Sequence, residues 1–421
     1  MSGALLIREV AIIDATRPEP SRPTDVLVRD RRIVAIGKEA AGGSDGTPTI
    51  DGTGCSLLPG LTDAHVHFAL ITAEGVPTVE SWISHVLRVA QTIEAALYEG
   101  FTTVRDAGGL EPAWARAVAN GLLPGPHILP SGSVISQTGG HGDLRAAHEA
   151  VHSGASIPGL VAMPEIVDGA DAVRRAAREQ LRRGATQIKL LASGGIVSPT
   201  DPFDSNQLSP SEIAAAVEVA ADWDTYVLAH CHTSPAIARA IEAGVRCIEH
   251  ASILDQETAA RMATRGTFMV PTLQALEMLA QHPERWHLSP EKIARLRSVR
   301  DAARESVAIA DAAGVAIGSG SDVVGPWQGR RGEEIVLKAE ILGAHKAIAG
   351  ATQTNAHLFR MADRIGSVEV GKEADLILVE GDPLANVRLL ADPSCIPLVM
   401  KGGRVVKDAA QRLEASASKG V

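Results

Sequence analysis

The sequence predicts an α/β protein: a (β/α)8 TIM-like barrel carrying a small composite β-sandwich built from both termini. Three observations predict it. The middle of the chain alternates β-rich runs with helical patterns, and repeated β-then-α order implies parallel strands. Both ends carry short β-branched runs separated by turns instead. The length, 421 residues, exceeds one ordinary domain but suits a barrel of roughly 250 residues with an accessory domain. The expected boundaries are 1–58 with 366–421 for the sandwich and 59–365 for the barrel.

In chain order, ALLIREVAII, DVLVRD and RRIVAIG read as strands bounded by Pro, Asp and Gly clusters, and AAGGSDGTPT reads as a loop. The first barrel run is LLPGLTDAHVH, followed by a helix over about 79–99. FTTVRDAGG, HILPSG, QIKLLASGG, YVLAHCH, CIEHAS, FMVPTL and VAIGSGSD complete eight runs. Ser209-Pro210-Ser211-Glu212 supplies an N-cap, a proline at the first helical position and a glutamate able to close a capping box. The tail returns to strands, ADLILVEGD and PLVMKGGRVV, with a Gly-Gly turn.

Composition narrows the function. At 45% hydrophobic and 21% charged, the chain forms an ordinary globular core. The net charge is −10 and no basic patch stands out, so a nucleic-acid partner is not expected. The arginines of 174–183 are interleaved with Ala and Glu, as on a solvated helix face. Cys55, Cys231, Cys247 and Cys395 form neither a CxxC pair nor a disulfide framework, which fits free thiols in a reducing cytoplasm. The N-terminal apolar run is too short for a signal peptide. No run approaches the roughly 18 apolar residues of a membrane span. A cytoplasmic protein is the expectation.

In a barrel of this kind the chemistry sits at the C-terminal ends of the strands. Run one ends in His65 and His67, which share a face if the strand continues and can then bind one metal ion. Run four contains Lys189, run five His230 and His232, run six His250 and run eight Asp322. His141, in TGGHGD after run three, falls at the same mouth. No nucleophile-elbow serine and no cysteine in a nucleophile context is apparent.

These stretches resemble the amidohydrolase superfamily, in its imidazolonepropionase-like and Xaa-Pro-dipeptidase-like branch, which includes ochratoxin-degrading enzymes. The resemblance lies in PGLTDAHVHF, GFTTVRDAGG, QTGGHGD, IKLLASGGIVSPTDP, AHCHTSPAIARAIEAGVRCIEHAS, GSGSD, ATQTNAHLF and GSVEVGKEADLILVEGDPL, and so spans nearly the whole chain. It implies a site for two divalent metal ions. His65, His67 and Asp322 would hold the more buried ion, and His230 and His250 the second. Lys189, carboxylated by CO2, would bridge them. Carboxylation replaces a repelling ammonium with an anionic oxygen pair, which suits a hard or borderline metal. Zinc is the first expectation from the mixed His and carboxylate set.

Two cations beside one water supply hydroxide at neutral pH, and Asp322 can take the proton and return it to the departing nitrogen. The resemblance gives His141 a substrate-binding or carbonyl-polarising part. His232 is a substrate or supporting contact, or exchanges places with His230. Arg105 and Asp106, ending run two, either orient ligands or seal the barrel, and the structural part is the expectation. The loop after run eight, VVGPWQGRRGEE with Trp327, Arg330 and Arg331, forms a candidate pocket wall, and either arginine could meet a substrate carboxylate or the two could be an exposed pair. His148, His152, His282, His287, His345 and His357 read as surface or bland positions.

The implied activity is hydrolysis of an amide, most simply in a dipeptide or N-acyl amino acid such as ochratoxin A. A carbamate, thiocarbamate or phenylurea hydrolase is the close alternative. A mononuclear deaminase is disfavoured because Thr233 and Pro235 stand where its glutamate would follow His230 or His232. A small-molecule substrate and a homo-oligomer are expected, with no nucleic acid and no membrane.

Overall fold

The computed structural model describes residues 3–42, 46–71, 82–145, 162–198, 201–286 and 288–414. It divides into two compact units. One gathers Met1–Asp63, Glu94–Thr103 and Arg331–Val421, and the other Ala64–Ile93 and Val104–Arg330.

The first unit draws its strands from both ends of the chain. Leu5–Ile12 pairs antiparallel with Thr24–Arg29 through its first half, then parallel with Cys55–Pro59 through its second. The switch follows a register shift between Ile7 and Val10, where Glu9 takes φ 54°. Leu376–Glu380 joins from the C-terminal region with Leu378 opposite Leu57, and Leu398–Lys401 and Arg404–Asp408 extend the sheet. The Gly-Gly turn expected from the sequence closes this last hairpin, with Gly402 and Gly403 both at positive φ as a two-residue turn between Lys401 and Arg404 requires. Hydrogen bonding links nine strands into one network rather than two separate sheets. Ile7, Val26 and Ile50 enclose one apolar cluster with Leu57, Leu378 and Met400.

The second unit holds the parallel strands. Ile188–Leu191, Val227–Thr233, Cys247–Ile253 and Phe268–Val270 pair in sequence order. Helices Pro210–Asp222, Ser234–Glu242 and Gln256–Arg265 alternate with them, each reversing the chain so that the next strand starts at the same edge. Leu61–Val66, Phe101–Asp106 and His127–Pro130 form a three-stranded sheet in that order. The eighth run is not a full strand. It makes a single parallel bridge, Ile317 to Met269. Single backbone bonds then connect the sheets: Thr186 N–H to Pro130 O at 2.8 Å, and Ala64 N–H to Ser319 O at 2.8 Å. Among the described residues the ladders therefore form two sheets with mixed α/β order. The helix expected near 79–99 is found at Trp82–Tyr98, and residues 79–81 lie outside the described ones.

Gly320 shows why this last run must approach so closely. A Cβ there would lie 2.6 Å from the His65 Cβ and 2.5 Å from a Val270 methyl. Only glycine lets the chain pass and deliver Asp322 beside His65. No helix among the described residues is long and apolar enough to cross a membrane.

Candidate metal centre

The strand period places His65 and His67 on one face, and their Nε2 atoms lie 3.2 Å apart. Asp322 Oδ1 lies 3.5 Å from the first and 3.4 Å from the second. Donors about 2.05 Å from a tetrahedral metal sit about 3.3 Å from one another. Three donors at this spacing fit a metal ion, because neutral rings have no other reason to crowd a carboxylate with their lone pairs. His250 extends the group: one ligand atom each from His65, His250 and Asp322 fall within 4.8 Å of one another.

Hydrogen bonds on the far side of each ring aim these nitrogens. His65 Nδ1 donates to Glu249 Oε2 at 2.6 Å, and His67 Nδ1 to Gly108 O at 2.7 Å. His250 Nδ1 lies 2.6 Å from Thr272 Oγ1. Such partners fix the tautomer and ring plane of a metal-binding histidine. Glu249 is completely buried and also accepts from Arg105 Nη2 at 2.7 Å. Arg105 donates as well to Ala64 O at 2.7 Å, beside His65. Asp106 accepts from the backbone N–H groups of Phe68, Gly108 and Leu110 and so holds the loops that carry His67 and its partner. Burial pushes the Asp106 carboxyl up to about 7.

Lys189 is 2% exposed, in the strand Ile188–Leu191. Burial lowers its pKa below the ordinary lysine value, against the pull of Glu249 and Asp322. His230 and His232 both reach the centre from Val227–Thr233, with ring centroids 4.5 and 4.9 Å from His250. The Nε2 of His230 lies 3.2 Å from Gly194 O, and the Nδ1 of His232 lies 2.9 Å from Ser252 Oγ. Each therefore turns a different nitrogen inward. His141 stacks on His230 at 4.4 Å, and its Nδ1 is buried without a hydrogen-bond partner among the described residues. Burial holds all six imidazoles neutral at physiological pH: His67 and His141 fall to about 4 and His232 to about 3, while His65, His230 and His250 lie well below 6.5.

Backbone strain marks the same place. His250, Ala251, Thr272 and Asp322 all take φ between 46° and 72°. Left-handed conformations cost non-glycine residues energy, and they persist where the surroundings over-determine a functional geometry. Above these residues opens a cavity of about 390 Å³, lined by His65, His67, Lys189, His230, His250 and Asp322, with His141 and His232 also on its wall.

Several expectations are corrected by the packing. The loop after run eight lines the cavity through Val324, but neither Arg330, which is exposed, nor Arg331 does. Arg331 is buried and pairs with Glu99 at 2.7 Å. Trp327 contributes only indirectly, by stacking on Trp286. His282 also packs on Trp327, and His345 meets Arg17 O. His148, His152 and His287 lie outside the described residues. The sequence reading missed Glu249, Thr272, Arg285 and Trp286. Only Glu249 left a signal, a lone charge inside the apolar run CIEHAS.

The profile of the Amidohydrolase family matches residues 56–406. The chain belongs to the amidohydrolase family. Like other amidohydrolases of its kind, it is a hydrolase acting on C–N bonds. It is 33% identical over 407 residues to the ochratoxinase of Aspergillus niger, which covers 92% of this chain and 84% of that one. A prolidase solved with N-methylphosphonate-L-proline superposes with a TM-score of 0.90 at 37% identity, over 96% of this chain and 100% of that one. A Xaa-Pro dipeptidase with methionine in its active site gives 0.86 at 30% identity, again over 96% and 100%.

Proposed function

We propose that this amidohydrolase cleaves the amide bond of a dipeptide or N-acyl amino acid at a two-metal site. The observation that carries the proposal is the near-tetrahedral spacing of His65, His67 and Asp322 beside a buried lysine and four further neutral histidines. A relative named for ochratoxin and neighbours named for proline dipeptides support the substrate class. We read the site as the mouth of a closed (β/α)8 barrel.

In this reading His65, His67 and Asp322 hold one ion, and His250 with His230 holds the other. A carboxylated Lys189 would complete the donor set for both, and its burial favours the uncharged amine, the form that attacks CO2. When bound, the ions would supply a hydroxide-like water at neutral pH and polarise the substrate carbonyl. Zinc suits the donors first. Asp322 accepts the proton of the attacking water and passes it to the departing nitrogen. His141 donates to the carbonyl oxygen, where its charge develops, or positions it. His232 supports His250 by stacking and faces the substrate.

The test is a screen of dipeptides, N-acyl amino acids, ochratoxin A and aryl ureas against zinc-loaded protein. Hydrolysis within the first three classes is expected. Turnover of aryl ureas alone would overturn the substrate class.

A further inference from the structure

The chain leaves the strand Ile188–Leu191 and folds back on itself. Among residues 192–198 and 201–207, Ser193 makes an antiparallel bridge to Asn206, Gly194 N–H donates to Ser205 O at 3.1 Å, and Gln207 N–H donates to Ala192 O at 2.9 Å. This return touches three of the cavity histidines. Gly194 O lies 3.2 Å from His230 Nε2, and the Phe203 ring packs on His232 at 4.7 Å. A Cβ at Gly195 would fall 2.4 Å from His141 Nδ1, so only glycine lets that ring lie against the chain.

Asp201 ties this return together. It is 8% exposed, and its Oδ2 accepts from Gly195 N–H at 3.2 Å and from Gln207 Nε2 at 2.9 Å. Those two groups hold His141 from two sides. Gly195 lies against its ring, and Gln207 Oε1 accepts its backbone N–H at 2.8 Å. A backbone N–H only donates and a carboxylate only accepts, so the Gln207 amide cannot be turned the other way. The contact is close: a Cβ at Gly140, beside His141, would lie 2.8 Å from Gln207 Oε1. The Oδ1 of Asp201 is buried with no hydrogen-bond partner among the described residues. Two neutral donors repay a buried carboxylate poorly, so stability alone does not account for this residue.

We propose that Asp201 is a positioning residue for the reaction: through Gln207 and Gly195 it fixes the backbone and the ring of His141 on the cavity wall before substrate arrives. Asp201 does not itself line the cavity. The proposal rests on the reading of His141 as the group that meets the substrate carbonyl, and adds what sets it there. A donor to a developing oxyanion is effective when its placement is fixed in advance, and a misplacement of about 1 Å can cost about 100-fold.

The test uses the zinc-loaded full chain with isotope-labelled histidine, read by NMR of the ring nitrogens. The His141 signals are those that vanish in His141→Gln. They should shift and broaden in Asp201→Ala, and also in Gln207→Met, which breaks the same chain of contacts at its second link. Asp201→Asn keeps the volume and an oxygen that accepts from both N–H groups, so the signals should stay in place. Zinc content should be unchanged in all three. With N-acetyl-L-phenylalanine as the probe amide, kcat should fall about 10- to 100-fold in Asp201→Ala with KM within about twofold, and Asp201→Asn should recover most of the loss. In a His141→Gln chain, adding Asp201→Ala should cost less than about twofold more, because the residue it places is gone. Unmoved His141 signals in both Asp201→Ala and Gln207→Met, an asparagine variant as impaired as the alanine one, or an additive loss in the double variant overturns the proposal. Moved signals in a chain whose His141→Gln variant keeps full turnover would sink the carbonyl reading of His141 and leave its placement by Asp201 standing. A chain that cleaves no amide would sink the amide-hydrolase reading, and the histidine signals then decide the placement alone.

Discussion

At the scale of single residues, the centre is governed by burial. In the proposed two-metal site, Lys189 would act as a ligand because burial disfavours its ammonium form. Lys189→Ala should therefore retain the fold but fall from two ions to at most one per chain, with activity nearly lost. Metal analysis of purified protein checks it, and two retained ions would refute the bridge. Glu249 is the residue through which Arg105 reaches His65. Glu249→Gln should weaken metal retention about 10- to 100-fold in chelator competition, the usual cost of losing a ligand's supporting partner. It should also lower stability, because Arg105 stays buried without its counter-charge. The histidines predict a pH effect on the metal-free chain. Unfolded histidine titrates near 6.5, whereas folded His67 and His141 titrate at about 4. Between those values the unfolded chain binds more protons, so stability falls as pH drops from 6.5 toward 4, by up to about 1.4 kcal/mol per pH unit for each histidine. Below 4 these two contribute no further loss. Urea melts of chelator-treated protein at pH 7, 5.5 and 4.5 measure it, with His141→Gln expected to flatten the slope.

At the scale of elements, local chemistry and tertiary demand meet at different places. The helix Pro210–Asp222 starts where local rules say it should. Ser209 accepts from the Glu212 N–H, Glu212 accepts from the Ser209 N–H at 2.6 Å, and Pro210 fills the first turn. That box was legible in four residues because capping needs no distant partner. Ser209→Ala should cost about 1 kcal/mol and lower the urea midpoint slightly, without altering metal content. The eighth run behaves oppositely. VAIGSGSD reads as a strand, yet its two glycines leave one ladder bridge, at Ile317. Close passage over His65 outranks strand regularity there, and no local pattern announces that.

At the scale of the molecule, the first unit depends on residues far apart in sequence. Cys55–Pro59 is sandwiched between Leu5–Ile12 and Leu376–Glu380, and the cluster of Leu57, Leu376, Leu378 and Met400 joins both ends of the chain. Deleting residues 366–421 should strip one edge of Cys55–Pro59 and expose that cluster. The expected result is aggregated protein, or soluble protein that binds a hydrophobic dye. A monodisperse truncated chain with unchanged melting would contradict it.

The sequence by itself determined the order of strands and helices, the capping box, the Gly-Gly hairpin and the family, because periodicity, turn chemistry and motif spacing are local or carried in order along the chain. It also named the histidines, the lysine and the aspartate that now share one cavity. The tertiary structure alone decided what stands behind and around them. Glu249 joined His65 to Arg105 across separate strands, Arg331 turned to Glu99, and the loop after run eight reached the cavity wall through Val324 rather than through its tryptophan or arginines. The physical reason is the same in each case. A buried charge or a stranded donor finds its partner through space, and its neighbours in sequence carry no record of which partner that will be.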